Sequence, residues 1–386
     1  MNTRKLLIII LTACLISLTG IYSHALAVDS SVDITSVGMG ARPISLGGAY
    51  VGLADDASAM FTNPAGLAFQ KKLSFVSMST QLLTCVDYKL AGFSDPTDIG
   101  TFGIGYIGVN APGGKYTYMN GVTPVIGDRM YYSNSMFILS YARDISDAVN
   151  IKNVGVGASV KFLSQGLDSD MDESPFASGM NIDLGAIYSP SDRLSFGATI
   201  QNIYGGDKGE SIRWSTGQNE KLPQTLKAGC SYQVLDNVKL LLDMESNLSD
   251  QRNIVFHGGS EWQVIPLLAL RIGFDQKEAS TGEDKLDVLT SCTAGIGIEY
   301  SGFRFDYAYR QDTVFPEFSS HYFSLSFSGA PLGEPDKTVK KTIPVNTDTC
   351  ENDGVFSPYK HIAIAKEIPL EQWKKRNNAE KPVSSL

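Results

Sequence analysis

The chain predicts an all-β fold: a 14-stranded antiparallel transmembrane β-barrel with an N-terminal hatch inside its lumen. Three observations predict it. From about residue 72 to 328, segments of roughly ten residues alternate apolar with polar or small side chains, which is the period of a strand. Fourteen such segments occur, an even number, as in bacterial outer-membrane barrels. From the third segment on, long and short connections alternate, which matches extended outer loops and tight periplasmic turns. A soluble sandwich also alternates, so the period alone leaves both open; the count and the loop asymmetry select the barrel.

Residues 1–27 come first and read as an export signal. Arg4 and Lys5 precede an apolar stretch from Leu6 to Tyr22, and Ala25-Leu26-Ala27 supplies the small residues of a signal-peptidase site. Cleavage is expected after Ala27, which sends the mature chain to the bacterial outer membrane. Leu11-Thr12-Ala13-Cys14 offers a rival lipoprotein box with Cys14 lipidated, but the apolar run continues past Cys14 and the conventional site follows it. No later apolar run approaches the roughly 20 residues of a membrane-spanning helix. The formal charge of −9, with basic residues scattered singly among 41 carboxylates, disfavours a nucleic-acid partner. Cys85, Cys230, Cys292 and Cys350 lie far apart with no CxxC pair, so neither a disulfide framework nor a zinc site is expected.

Residues 28–71 form the next domain, the hatch. Between 33 and 70 the alternation is missing and small residues dominate, in Gly38-Met39-Gly40-Ala41-Arg42-Pro43, Gly47-Gly48-Ala49, Ala54-Asp55-Asp56-Ala57 and Asn63-Pro64-Ala65. Such a stretch ahead of a wide barrel fits a plug whose small side chains permit close packing, with Asp55, Asp56 and Asn63 bonding donors in the lumen. A short helix at 56–61, capped by Asp55 or Asp56, is expected.

Residues 72–329 form the barrel, with strands expected near 73–80, 84–93, 100–110, 131–143, 153–164, 178–189, 193–203, 223–234, 237–246, 253–264, 267–275, 290–300, 303–311 and 320–328. Phe303, Phe305, Tyr307 and Tyr309 share one face and Arg304, Asp306, Ala308 and Arg310 the other; Leu268, Leu270, Ile272 and Phe274 oppose Ala269, Arg271, Gly273 and Asp275. The bulky apolar face is expected to meet lipid, leaving Lys161, Asp183, Lys227, Arg271, Asp275, Arg304, Asp306 and Arg310 to line the lumen. Tyr131, Tyr132, Tyr188, Tyr232, Trp262 and Tyr300 fall near strand ends, where ring and hydroxyl suit the membrane interface. Long connections are expected at 111–130, 165–177, 204–222 and 276–289. Three places misfit: 81–83 is short where a long loop is due, Asp95-Pro96 breaks 94–99 on the wrong side, and 131–143 is apolar on both faces. Residues 330–386, rich in Pro, Lys, Asn and Asp, read as a polar, largely disordered periplasmic tail.

Ala54-Asp55-Asp56-Ala57 and, five residues on, Asn63-Pro64-Ala65, preceded by Gly38, Gly40 and Gly47-Gly48, resemble the N-terminal hatch of the FadL-type outer-membrane transporter superfamily, which takes in TodX, and of the related PorV/PorQ family. The resemblance implies a barrel plugged by its own N-terminus. On the transporter side it implies that hydrophobic molecules such as long-chain fatty acids bind near the outer loops, pass to a site against the hatch and leave sideways through a gap in the wall. On the PorV side it implies a barrel that receives or shuttles exported proteins for a secretion system. Only the hatch motif carries over: Gly40, Gly47, Gly48, Ala54, Asp55, Asp56, Ala57, Asn63, Pro64 and Ala65. The chain departs from the transporters in two places. The stretch 111–130 lacks the helical apolar stripe of a greasy entry groove, and the chain continues beyond Phe327.

Catalytic chemistry has little to build on. His257, His321 and His361 stand apart from any nucleophile motif, and Gly113-Gly114-Lys115-Tyr116-Thr117 lacks the leading Gly and the Ser or Thr of a phosphate loop. Asp168, Asp170, Asp172 and Glu173 lack the spaced Gly and terminal Glu of an EF-hand. No enzyme activity, cofactor or metal is expected. The expected work is passive passage of a hydrophobic small molecule, bound in an apolar pocket between hatch and wall and released by a shift around Gly47-Gly48. The alternative is a protein that binds an exported polypeptide. Outer-membrane lipid is the expected surrounding in both.

Overall fold

The period-two alternation folds into one antiparallel sheet of sixteen strands. In this computed structural model the described residues are 34–83, 85–169, 174–205, 211–248, 253–280, 286–313 and 316–329. The strands are β1 Ser74–Leu82, β2 Val86–Thr97, β3 Gly100–Asn120, β4 Thr123–Asp144, β5 Val154–Ser169, β6 Phe176–Ser191, β7 Leu194–Gln201, β8 Ile212–Trp214, β9 Asn219–Glu220, β10 Thr225–Leu235, β11 Val238–Asn247, β12 Val255–Ile265, β13 Leu268–Ser280, β14 Leu286–Tyr300, β15 Phe303–Arg310 and β16 Ser320–Ser328. Because β1 pairs with both β2 and β16, and β5 with β6, the ring closes through β1 to β7 and β10 to β16. The short strands β8 and β9 form a hairpin against β6 and stay outside the ring. The predicted closed 14-strand antiparallel barrel is thus borne out. No described helix is long and apolar enough to cross a membrane. The signal at 1–27 with Cys14, the residues Asp170, Asp172 and Glu173, Cys350 and the tail at 330–386 lie outside the described residues.

Closure gives every backbone amide in the ring a neighbour, the condition for a strand in hydrocarbon. Side chains follow the alternation. Leu270, Ile272 and Phe274 are exposed on the outer face while Arg271 and Asp275 are buried; Phe303 and Phe305 are exposed while Asp306 and Ala308 are buried. Of the aromatics expected at a membrane interface, Tyr131, Tyr232, Trp262 and Tyr300 are exposed.

Several expected boundaries are corrected. The stretch 111–130 is no loop: β3 and β4, of 21 and 22 residues, continue as a paired ribbon to Asn120 and Thr123. The turn between them places Gly121 at φ 67, the positive value a two-residue hairpin needs at its first position. Gly121 ahead of Val122, a glycine at the first position of the turn, is the signal there. Strand also replaces loop at 165–169, 276–280 and 286–289. The break expected at Asp95-Pro96 is absent, because β2 runs to Thr97 with Pro96 opposite Thr101 beside a two-residue turn. The apolar second face of 131–143 has a cause: Phe137, Leu139 and Tyr141 point outward, whereas Met136 and Ile138 are fully buried on a strand that packs against the turn 64–69.

Candidate functional site

Residues 34–70 run through the inside of the ring, and their small side chains explain how they fit. A Cβ on Gly47 would come within 2.1 Å of the Phe274 carbonyl oxygen and 2.6 Å of that of Gly258, at a backbone φ of 69. Wall glycines make room from the other side. A Cβ on Gly197 would lie 2.0 Å from the Val51 carbonyl oxygen, and one on Gly185 would lie 2.1 Å from Oδ1 of Asn63. Segment and wall thus meet backbone to backbone, which only glycine permits. The expected hinge at Gly47-Gly48 is consequently one of the most closely packed points of the segment.

Polar contacts fix the segment at many points, three of them at or beside the motif residues. At the first, the buried amide of Asn63 donates to the carbonyls of Val51 at 2.9 Å and Ala186 at 3.2 Å, while its oxygen accepts from Ala65 N–H at 3.2 Å. This accounts for Asn-Pro-Ala: Pro64 starts a short helical turn, Pro64–Phe69, and Asn63 caps it. At the second, Oδ2 of Asp243 on β11 accepts from the backbone N–H groups of Tyr50 at 2.7 Å and Val51 at 2.8 Å. The third is an ion lattice near the short-turn end of the barrel.

Arg42, only 6 % exposed, is its hub. Its guanidinium donates to both oxygens of Glu261 at 2.9 and 3.0 Å and to both of Asp55 at 2.5 and 3.2 Å. The Tyr50 hydroxyl donates to Asp55 at 2.8 Å. Arg304 donates to Asp56 at 2.6 Å and to Asp306 at 2.9 Å, and Arg271 links Glu261 and Asp306 at 2.7 Å each. Burial works against the Arg42 charge, but Asp55 and Glu261 hold its pKa well above the usual value. Burial also favours the neutral form of Asp56, and Arg304 and Arg42 outweigh it, so its carboxyl is drawn down to about 2. The Tyr50 phenol is pushed up, by burial first and then by Asp55 and Asp56. The expected capping of a helix at 56–61 is corrected: the helical turn is Ala59–Thr62, Asp56 accepts from Ser58 N–H at 2.9 Å, and Asp55 serves Arg42 instead.

The remaining motif residues are backbone positions: Gly40 and Gly48 adopt φ 123 and 82, Ala54 and Ala57 are buried, and Ala57 N–H donates to Ser74 Oγ at 3.2 Å. Of the wall charges, Lys161 is wholly buried and pairs with Asp183 at 2.8 Å; its Nζ also donates to Asn202 Oδ1 at 3.0 Å, where the chain leaves β7 at φ 58. Lys227 pairs with Glu245 at 2.8 Å. Asp275 and Arg310 lie together at the long-connection end, apart from the Arg42 lattice. The sequence reading missed Arg42, Tyr50, Asp243, Glu245 and Glu261 as functional positions. Strand parity signals three of them, because Asp243, Glu245 and Glu261 alternate with the outward Leu240, Leu242 and Trp262.

Cavities lie on both sides of the segment. One of about 360 Å³ at the long-connection end is lined by Met39, Pro43 and Ile44 together with Lys227, Asp275 and Arg310. Two at the short-turn end, of about 500 and 580 Å³, share Asp55, Gln70, Lys71 and Lys239. Each has charged groups in its lining beside apolar ones, so where an apolar pocket was expected between segment and wall these three are mixed.

No family model and no curated protein matches the chain. Its fold is similar to solved structures. The Ralstonia pickettii toluene transporter TbuX is 16 % identical, over 76 % of this chain and 98 % of that one, with a TM-score of 0.52. The P. putida toluene transporter TodX is 14 % identical, over 76 % and 99 %, with a TM-score of 0.53. A TodX deltaS2S3 mutant, described as a monoaromatic hydrocarbon channel, is 15 % identical over the same shares, with a TM-score of 0.54. The FadL/TodX-type resemblance read in the sequence is borne out at the level of the fold.

Proposed function

We propose that this chain is an outer-membrane channel for passive passage of small hydrophobic molecules, with residues 28–71 as its hatch, 72–329 as the barrel, 1–27 as a signal removed after Ala27 and 330–386 as a periplasmic extension. One observation carries the reading: a closed barrel with an apolar outer face holds a segment that separates a cavity at one end from cavities at the other. The toluene transporters that share the fold support the hydrophobic class of solute, and a long-chain fatty acid is its extended form. No covalent chemistry is involved. Passage requires the segment to move. Close packing at Gly47 makes that point an anchor, so the gate is the Arg42 lattice, in which Arg42 must leave Glu261 and Asp56 must leave Arg304 before the segment can move from the wall. Uptake of labelled oleate and toluene by a deletion strain and its complemented parent tests the reading. Uptake that depends on the protein is the expected result, and identical uptake by both strains removes it.

A second reading, a protein that binds an exported polypeptide, is favoured by the β3–β4 ribbon. Beyond Asn110 and Met130 its two strands pair, among the described residues, with each other alone and expose Met119, Val122 and Ile126. Accumulation of unprocessed exported proteins in the periplasm of the deletion strain would select it.

A further inference from the structure

The charged groups at the long-connection end form a cluster of their own. Glu245 takes Lys227 at 2.8 Å, and Asp275 takes Nδ1 of His257 at 2.9 Å. Asp243 is occupied by the Tyr50 and Val51 amides, and Glu278 by the Asn253 N–H. Lys277 and Arg310 are placed differently. Both flank Oδ2 of Asp275, at 3.8 and 3.7 Å, beyond hydrogen-bond reach. Their hydrogen bonds go to backbone carbonyls at the start of the N-terminal segment, Lys277 Nζ to Ser36 at 2.9 Å and Arg310 Nη1 to Val37 at 3.1 Å.

Two cations therefore share one carboxylate at a distance, and each keeps N–H donors beyond its single carbonyl bond, since an ammonium has three and a guanidinium five. They border the 360 Å³ cavity, whose lining also carries Gln201, Thr225, Asn247 and Asn253. A hydrocarbon entering here would strip water from these groups and offer nothing in return. An anionic group would supply the acceptor that the cation pair lacks. Met39, Pro43 and Ile44 on the segment side give room for a ring or a few methylenes.

We propose that this cavity is a binding site for a small organic acid with an apolar ring or short chain, held by its anionic group between Lys277 and Arg310. The inference rests on the passage reading and deepens it, because it puts a charge on the solute that the channel meets first. It also ties occupancy to the segment, since the two cations that hold the acid hold the Ser36 and Val37 carbonyls.

Benzoate and toluene, which differ by a carboxylate in place of a methyl, are the probes. The full chain is purified in detergent and titrated calorimetrically with each. Benzoate is expected to bind more tightly than toluene. The double substitution Lys277→Gln, Arg310→Gln is expected to weaken benzoate on the order of tenfold or more, and Lys239→Gln at the opposite end is expected to leave it unchanged. Should the double variant not fold, Lys277→Gln alone, at a side chain 44 % exposed, is read for a several-fold loss. Equal benzoate affinity in variant and parent, no benzoate binding by the parent, or toluene binding as tight as benzoate would each overturn the proposal. Failed benzoate binding beside protein-dependent uptake of oleate or toluene removes this inference alone, whereas uptake independent of the protein removes the passage reading.

Discussion

Around Arg42 three arginines meet carboxylates at 2.5 to 2.7 Å, and segment and wall are joined there by Arg42 on Glu261 at 2.9 and 3.0 Å and by Arg304 on Asp56 at 2.6 Å. Around Asp275, on the far side of the same segment, Lys277 and Arg310 stand 3.8 and 3.7 Å from the carboxylate they share and spend their hydrogen bonds on backbone carbonyls. The residue types are similar; the geometry is not. Buried, bidentate pairs lose much if one partner is removed, because the other charge stays buried without compensation. Loosely shared cations lose little and can trade partners. The first arrangement suits a latch and the second suits a site that exchanges occupants.

Removing the hub tests the latch most severely. Arg42→Ala leaves Glu261 and Asp55 without their bidentate partner, and the docking of the segment should weaken by about 3–5 kcal/mol. Proteolysis of residues 34–70 and single-channel conductance in planar bilayers should both rise while the barrel stays folded. Arg42→Lys should fall between, because an ammonium cannot serve both forks. Unchanged conductance and protection in Arg42→Ala would end the latch reading. Asn63→Ala comes next. It deletes three hydrogen bonds and strands the Val51 and Ala186 carbonyls, so about 2–3 kcal/mol of docking should go, read by the same proteolysis.

How much of this was legible beforehand depends on distance along the chain. Parity placed Arg271, Asp306 and Asp275 on the inner face from local pattern alone, and outward Ile272 and Phe305 follow from the same rule. Asn63 was expected to meet donors in the lumen, whereas its oxygen caps its own turn at Ala65 and its amide serves the Val51 and Ala186 carbonyls, the second of them 123 positions away. Arg42 could be seen in the sequence, but its partner Glu261 is 219 positions away, and no local signal joins them. The ribbon beyond Asn110 was hidden by Pro112, Gly113 and Gly114, whose breaker composition masked the Gly121-Val122 turn. Gly47 read as a hinge because glycine is permissive. Only the wall behind it, the Phe274 and Gly258 carbonyls, shows that the residue is there for want of space.

Acid should loosen the latch. Asp56 titrates near 2 when docked and near 3.8 when free. A lowered value means that the contribution, about 2 kcal/mol, is fully present above roughly pH 4 and is lost as pH falls through 2. Pepsin cleavage within 34–70 should therefore climb between pH 4 and 2 in the parent protein. Asp56→Asn, which has no proton to gain, should start open and respond little. A flat parent profile would separate Asp56 from the latch.

The smallest effect belongs to the looser cluster. Lys277→Gln removes a half-exposed ammonium that stands 3.8 Å from Asp275 and donates one hydrogen bond to Ser36, while Arg310 and His257 remain beside the same carboxylate. Solvent screening reduces such a contact, so thermal stability and the protection of 34–70 should shift by no more than about 0.5–1 kcal/mol. The contrast with Arg42→Ala is the point of the measurement. A loss as large as that of the hub would mean that both clusters are latches, and the cavity between Lys277 and Arg310 would then be a by-product of closure. A small loss leaves those two cations available to a solute.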